Sequence, residues 1–201
     1  IFSTQTSFEN NTFYDVSTWN LALASNVHYA PLDKGEARKV KRAESGKVKT
    51  AVLNDVKENA YAYGFSWQHY FAPAMLQTLL EAGVKVRSSN KAFSALDYNG
   101  KAIDLPAGSI LIPKGLSQPA NLRDIVNNAQ AQLQVPIFSF KSGLTPHGND
   151  MGSRSMTPVN APQVLIVGGE GTSEYEAGEI WHYFDTKVGL AASIVEQQHL
   201  A

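Results

Sequence analysis

From residue 50 onward, short apolar runs alternate with amphipathic stretches, and this alternation leaves few architectures open to the chain. Apolar residues at helical spacing predict helices over 70–82, 121–133 and 174–186. Runs rich in β-branched and aromatic residues predict the strands between them. These runs span 60–65, 84–87, 109–112, 135–140, 164–167 and 190–195. Strands that alternate with helices are typical of an α/β fold, and we expect a doubly wound, mostly parallel sheet in a three-layer arrangement.

Turn residues divide this region into two blocks. Gly83 follows the first helix, as expected of a helix end, and Asn99-Gly100 predicts a tight hairpin turn. Residues 143–162 hold three prolines, three glycines and no periodicity, which predicts a loop. We therefore expect a leading segment over 1–49 and an α/β domain over 50–201, in which βα blocks 50–142 and 163–201 are joined by that loop.

The leading segment holds the densest charge in the chain. A short helix is predicted over 18–24, and the stretch 33–49 then carries seven basic and three acidic residues, a formal charge of +4. This stretch lacks the interleaved aromatic side chains on which nucleic-acid bases stack. The pattern therefore favours a solvated basic linker or an exposed hairpin.

Composition excludes several classes of function. The net charge of −1 gives no reason to expect binding to nucleic acid or to an anionic membrane. No apolar run reaches the roughly 18 residues that predict a membrane span. The absence of cysteine excludes a disulfide framework, a cysteine-ligated zinc site, an iron–sulfur cluster and a thiolate nucleophile. The first residue is Ile1 and not Met, so the sequence reads as part of a longer protein.

Candidate site residues lie mainly in the loops that follow the predicted strands, where α/β sheets bind their ligands. Ser66 and His69 could form a nucleophile and its base, and Glu179 and His182 share one face of a predicted helix, where they could hold a metal or act as an acid–base pair. A turn serine and an exposed or interfacial polar face are the simpler interpretations, the latter with Trp181 and Phe184 pointing into the core. The full candidate pocket comprises Ser66, His69, Lys114, Glu170, Ser173, Glu179 and His182.

The turn over 168–173 is rich in glycine and lies between a predicted strand and a predicted helix. Backbone N–H groups can cradle an anion in such a turn, but Glu170 and Glu174 would repel a phosphate. No Gly-Lys-Ser or Gly-Lys-Thr sequence follows, which excludes a P-loop, so a tight turn with Ser173 capping the helix is favoured. The chain also lacks His-x-x-Glu, His-Glu-x-x-His and Gly-x-Ser-x-Gly motifs, so it holds no recognisable catalytic zinc site or serine elbow.

Four segments together resemble a known family. They are Phe-Tyr-Asp-Val-Ser-Thr-Trp over 13–19, the stretch 61–93, Gly-Asn-Asp-Met-Gly-Ser over 148–153, and the stretch 169–185 with its Ala-Gly-Glu-Ile-Trp-His run. They resemble the region downstream of the peptidase domain in large bacterial zinc carboxypeptidase-like proteins of the carboxypeptidase A superfamily. That region is similar to a class I glutamine amidotransferase-like (flavodoxin-like) α/β domain, and the resemblance spans nearly the whole chain.

The resemblance implies a peptidase that removes C-terminal residues from peptides with a zinc-bound water, in a periplasmic or secreted protein. Its zinc ligands would lie upstream of Ile1, and no position here matches them. The amidotransferase likeness implies a Cys–His–Glu triad, which a chain without cysteine cannot form. We therefore expect a non-catalytic accessory domain with no cofactor of its own. It would support the upstream peptidase domain or bind a peptide or glycan at its strand ends.

Two alternatives stand beside this expectation. One is a serine-based or metal-assisted hydrolase that uses Ser66 with His69, or Glu179 with His182. The other is a ligand-binding or oligomerisation module that forms a homo-oligomer, with Trp19, Trp67 and Trp181 at its interfaces.

Overall fold

The computed structural model describes residue 30, residues 32–40 and residues 53–200, and the chain divides into two units, 1–49 and 50–201. In the first unit, Asp33 Oδ1 accepts hydrogen bonds from the N–H groups of Gly35 and Glu36, at 2.7 Å each. This cap begins one helical turn, α1 (Lys34–Ala37), whose residues are all exposed. The predicted helix over 18–24 and residues 41–49 of the charged stretch lie outside the described residues.

The second unit contains nine described strands and three further described helices. The strands are β1 (Ala62–Phe65), β2 (Val86–Ser89), β3 (Phe93–Leu96), β4 (Ala102–Leu105), β5 (Ile110–Pro113), β6 (Phe138–Phe140), β7 (Met156–Val159), β8 (Val164–Gly168) and β9 (Ala192–Glu196). The helices are α2 (Ala72–Glu81), α3 (Leu122–Leu133) and α4 (Glu174–Tyr183), and α4 continues into a π-helical turn over Phe184–Val188. A short 3-10 turn over Gln197–His199 follows β9.

The α/β class is confirmed, but the main sheet differs from the one predicted. Its five strands have the order β6-β1-β5-β2-β7, and every neighbouring pair is antiparallel, where the sequence predicted a mostly parallel, doubly wound sheet. β1 and β2 run in the same direction on either side of α2, as a βαβ unit requires. The chain then turns back through the β3–β4 hairpin and places β5 between them, antiparallel to both.

Both faces of this sheet are covered, because alternate side chains of a strand point to opposite sides. On one face, Tyr63 and Ile112 pack in the core beneath α2 and α3. On the other face, Ala62 and Leu111 pack with Phe93 of the β3–β4 hairpin. The unit therefore has three layers, but a hairpin takes the place of the second helical layer of a doubly wound fold.

The segment 143–162, which the sequence predicts as a loop, contains strand β7. β7 forms one edge of the five-stranded sheet, where Pro158 pairs with Arg87 of β2. Proline cannot donate to a ladder and is tolerated on an edge strand, so Pro158 fits this position while weakening the strand signal in the sequence.

The second βα block forms a separate element, here called the βαβ unit (β8, α4 and β9, residues 164–196). β8 and β9 pair in parallel as a two-stranded sheet of their own, so the two blocks do not share a sheet. The π-helical turn after α4 contacts α2, and Val188 and Leu190 are buried. These contacts connect the βαβ unit to the rest of the domain.

Two predicted glycine positions are confirmed. Gly83 follows α2 with φ +75°, and Gly100 adopts φ +86° in the β3–β4 turn, both in the left-handed region that favours glycine.

Among the described residues, no helix is long and apolar enough to cross a membrane.

Candidate docking site

Ser66 and His69 lie in the loop between β1 and α2, where both bind the local backbone. Ser66 Oγ accepts a hydrogen bond from the N–H of Gln68 at 3.2 Å, and His69 Nδ1 accepts one from the N–H of Phe71 at 3.2 Å. In the part of the chain that the structure describes, no hydrogen bond joins the two side chains. Both side chains therefore stabilise the turn that precedes α2.

The environment of His69 gives a testable pH dependence. Partial burial lowers the pKa of His69 below its ordinary value of 6.5. A lowered pKa means that the unfolded chain binds the proton more tightly, so the native state loses stability as the pH falls through about 6.5. We expect an NMR titration of the imidazole to give a midpoint below 6.5. A midpoint at or above that value would contradict this assignment.

Lys114 follows β5 and belongs to a small ion-pair cluster. Its Nζ donates to the backbone oxygen of Glu58 and lies 4.0 Å from Glu58 Oε1. Arg123 Nε lies 3.6 Å from Glu58 Oε2 and donates to the backbone oxygen of Val56 at 3.0 Å. Beneath them, burial raises the pKa of Tyr63, whose hydroxyl donates to the backbone oxygen of Lys57 at 2.9 Å. The cluster lines a cleft of about 350 Å³ that none of the other six candidate residues reaches.

The other four candidate residues lie on the βαβ unit, and all four are exposed. Ser173 caps α4 as predicted, because its Oγ accepts a hydrogen bond from the N–H of Glu176 at 3.3 Å. Glu170 lies with Glu196 in a cleft of about 460 Å³ at the carboxyl ends of β8 and β9. Glu179 and His182 lie one turn apart on α4, and no ion pair joins them within the described ranges.

The seven predicted site residues therefore do not converge on one pocket. They separate into the Ser66–His69 turn, the Lys114 cluster and the surface of the βαβ unit. Among residues 30, 32–40 and 53–200, no group of three or more His, Asp or Glu side chains could hold a metal ion. In these residues, no hydrogen bond joins Ser66 to His69 or Glu179 to His182, as the two hydrolase alternatives would require.

Comparison with protein families, curated proteins and solved structures found no match.

The most unusual surface belongs to the βαβ unit, which leaves large apolar side chains in solvent. On α4, Trp181 is 42% exposed, although its apolar side chain predicts a position in the core. Phe184, in the π-helical turn that follows, is half-buried. No residue of α4 is fully buried. The exposed apolar residues of the unit are Leu165, Val167, Tyr175, Ile180, Trp181, Tyr183 and Ile194.

The geometry explains why these side chains remain exposed. β8 and β9 form a sheet of only two strands, which is about 5 Å wide between strand axes. Parallel strands are normally covered on both faces, but one helix on so narrow a sheet cannot cover both faces and bury its own apolar side chains. Leu165 and Val167 lie on one face of β8, and both are exposed.

The sequence contains a signal for this surface in the spacing of its apolar residues. At 3.6 residues per turn, the apolar residues Tyr175, Ile180, Trp181 and Tyr183 spread over about 240° of the circumference of α4. A helix at the surface of a single domain shows a narrower apolar stripe. The wide spread indicates a helix that is covered on more than one side.

Charge adds a second property to this surface. Residues 164–200 carry six acidic residues and one lysine, a formal charge of −5 in a chain whose net charge is −1. Glu174, Glu176 and Glu179 are exposed beside the apolar side chains of α4. The βαβ unit therefore exposes both large apolar side chains and acidic side chains, a composition found at protein-docking sites.

Proposed function

We propose that this chain is a non-catalytic accessory domain that docks onto a neighbouring protein domain through its βαβ unit. The observation that carries the proposal is the exposure of Trp181 and its apolar neighbours on an element too narrow to bury them. Exposed apolar patches of this kind mark surfaces that bury themselves against a partner. Tryptophan and tyrosine are also the side chains that contribute most to binding energy at protein interfaces.

The partner in this proposal is the peptidase domain of an exported zinc carboxypeptidase-like protein. The resemblance of residues 13–19, 61–93, 148–153 and 169–185 supports this part of the proposal. The zinc would belong to that peptidase domain, since this chain has no matching ligands. We expect the open reading frame to encode a signal peptide and a His-x-x-Glu motif upstream of Ile1.

The acidic charge of the βαβ unit favours a different domain, and not a second copy of this chain, as its binding partner. Two copies of the βαβ unit would bring two surfaces of formal charge −5 together, and like charges across an interface disfavour association. A matching surface would combine apolar and basic side chains. We therefore expect the isolated chain to be monomeric by size-exclusion chromatography with light scattering, and a dimer that depends on Trp181 would contradict this choice of partner.

The absence of catalysis has a direct test. Purified chain, supplied with zinc, is expected to release no amino acid from C-terminal dipeptide substrates. Ser66 Oγ and His69 Nδ1 each accept a hydrogen bond from a backbone N–H group and do not pair with each other. This supports the expected lack of turnover by a serine-based mechanism. Turnover that is lost in Ser66→Ala or in Glu179→Gln would establish the hydrolase alternative instead.

Replacing Trp181 with serine separates docking from folding. The side chain is 42% exposed in the chain alone, so Trp181→Ser should lower the free energy of unfolding of this chain by about 1–2 kcal/mol, less than the roughly 3–5 kcal/mol that truncating a fully buried tryptophan costs. In the full product of the reading frame the same substitution should cost about 2 kcal/mol or more beyond that loss, because docking is weakened as well. Differential scanning calorimetry of both proteins measures the two effects.

The matched control is Tyr70→Ser. Tyr70 is also aromatic and 63% exposed, but it lies in the turn before α2, outside the βαβ unit. Tyr70→Ser should leave the melting temperatures of the isolated chain and of the full product nearly unchanged. An effect of Trp181→Ser in the full product that is no larger than its effect in the isolated chain would argue against docking through α4.

A further inference from the structure

A second cleft lies on a different part of the domain and makes no use of the βαβ unit. It is called here the hairpin cleft, and its walls are the β3–β4 turn over 96–100 and the loop over 141–146. Its volume is about 460 Å³. Asp97 forms a β-bridge with Phe140, next to Lys141, so the two walls are joined at one end.

Both walls are held in place by internal hydrogen bonds. In the turn, Asp97 Oδ1 accepts hydrogen bonds from the N–H groups of Asn99 and Lys101, at 2.8 Å each. In the loop, the N–H of Thr145 donates to Asp150 Oδ1 at 2.8 Å. The backbone of Gly143 lies against the ring of Tyr61, so closely that a β-carbon there would stand 2.7 Å from Tyr61 Cε1. The cleft is therefore largely formed before any ligand arrives.

The cleft holds a cation without a carboxylate partner. Lys141 Nζ lies 4.6 Å from the centroid of the Tyr98 ring, a cation–π contact that positions the ammonium group at the cleft. Within the described ranges, no carboxylate lies within 4.0 Å of it. Asp97, the one carboxylate that lines the cleft, already accepts the two turn N–H groups. The ammonium group is thus free to bind an anionic group of a ligand.

Apolar side chains flank this cation on both walls. Leu96 on the turn is 45% exposed and Leu144 on the loop is 73% exposed, and both line the cleft. A ligand that covered both leucines would gain from the removal of apolar surface from water. Ser142 Oγ accepts a hydrogen bond from the N–H of Leu144 at 3.1 Å, which leaves its hydroxyl proton to donate to the same ligand.

We infer that the hairpin cleft binds a peptide segment in which an acidic side chain is flanked by apolar side chains. A phosphate group is a poorer fit, because the N–H groups of Asn99, Lys101 and Thr145 already have acceptors. A glycan is a poorer fit because Lys141 lies over the Tyr98 ring, where a sugar would stack. One cation between two exposed leucines matches a carboxylate between two apolar groups.

The test uses two probe peptides that differ only in charge, acetyl-Gly-Leu-Asp-Leu-Gly-amide and its Asn counterpart. Each is titrated into the ¹⁵N-labelled chain and followed by NMR. We expect saturable shifts at Tyr98, Lys141 and Leu144 with the Asp peptide, and roughly tenfold weaker binding of the Asn peptide. Because a carboxylate–ammonium contact is screened by salt, the affinity for the Asp peptide should fall as ionic strength rises.

Variants assign the two parts of the site. Lys141→Met should bind both peptides equally, at the affinity of the Asn peptide, and Leu144→Ser should weaken both by a similar factor of about ten. Lys101→Met is the matched control, since Lys101 is an exposed lysine of the same hairpin whose side chain does not line the cleft. Equal affinity of the unaltered chain for both peptides would overturn the inference. So would the absence of saturable shifts at the cleft up to about 5 mM peptide.

Discussion

Replacing Gly64 with alanine is expected to lower the free energy of unfolding by about 1–3 kcal/mol or more. Gly64 lies in β1, with β5 on one side and β6 on the other. A β-carbon there would stand 2.9 Å from the backbone oxygen of Ile110, 2.9 Å from Leu111 Cδ2 and 3.1 Å from Phe140 Cε2. The Ile110 oxygen belongs to a paired strand and cannot move aside without disturbing the sheet.

Gly178→Ala is the matched control for this substitution. Gly178 lies within α4, and a β-carbon at that position would meet nothing within 4 Å. Alanine has a higher helix propensity than glycine, so this variant should gain about 0.5–1 kcal/mol. Urea unfolding followed by circular dichroism measures both variants. A Gly64→Ala protein as stable as the unaltered chain would show that β1 is not packed as described.

The substitution Gln130→Met is expected to cost about 2–3 kcal/mol, although the two side chains have similar volumes. Gln130 of α3 is 4% exposed, and its amide connects two other segments of the chain. Its Oε1 accepts a hydrogen bond from the N–H of Ile137 at 2.7 Å, and its Nε2 donates to the backbone oxygen of Asn54 at 2.8 Å. Methionine would leave the N–H of Ile137 buried without an acceptor.

Gln77→Met provides the comparison. Gln77 of α2 is also buried, at 7% exposed, but its amide binds only Glu81 Oε1, at 2.9 Å. Glu81 is exposed and water can replace the lost bond, so this variant should change stability by less than about 1 kcal/mol. Chemical denaturation of the two variants side by side gives the difference. Equal losses of unfolding free energy in the two variants would mean that the burial of Gln130, and not its two hydrogen bonds to the backbone, determines the loss.

Local structure followed closely from local sequence. The helical spacing of apolar residues predicted α2 and α3 to within two residues at each end, because one face of each helix packs on the sheet. Asn99-Gly100 predicted the β3–β4 turn, where Gly100 supplies a positive φ. These features depend on interactions among neighbouring residues, which a sequence displays directly.

The arrangement of the strands did not follow in the same way. An apolar run such as Ile110–Pro113 indicates a strand buried on both faces, but it says nothing about the direction of its neighbours. The position of β5 between β1 and β2 depends on the return of the chain through the β3–β4 hairpin. The edge strand β7 was missed because Pro158 interrupts its pattern.

The candidate site shows the same limit. Ser66 and His69 have the residue types of a catalytic pair, but each binds a backbone N–H group instead of the other. Trp181 was expected to lie inward because it is apolar, and it is exposed because a two-stranded sheet offers too little surface to cover it. Whether side chains meet, and how much surface an element can cover, depends on the assembled fold.

Hydrogen–deuterium exchange at α4 tests whether the βαβ unit docks onto a neighbouring domain. In the isolated chain, the amides of 174–183 should exchange rapidly, since no side chain of this ten-residue helix is buried. In the full product of the reading frame we expect the same amides to exchange more slowly, with no change at 72–81 of α2, which already packs in the core. Equal exchange of 174–183 in the two proteins would contradict the proposed docking.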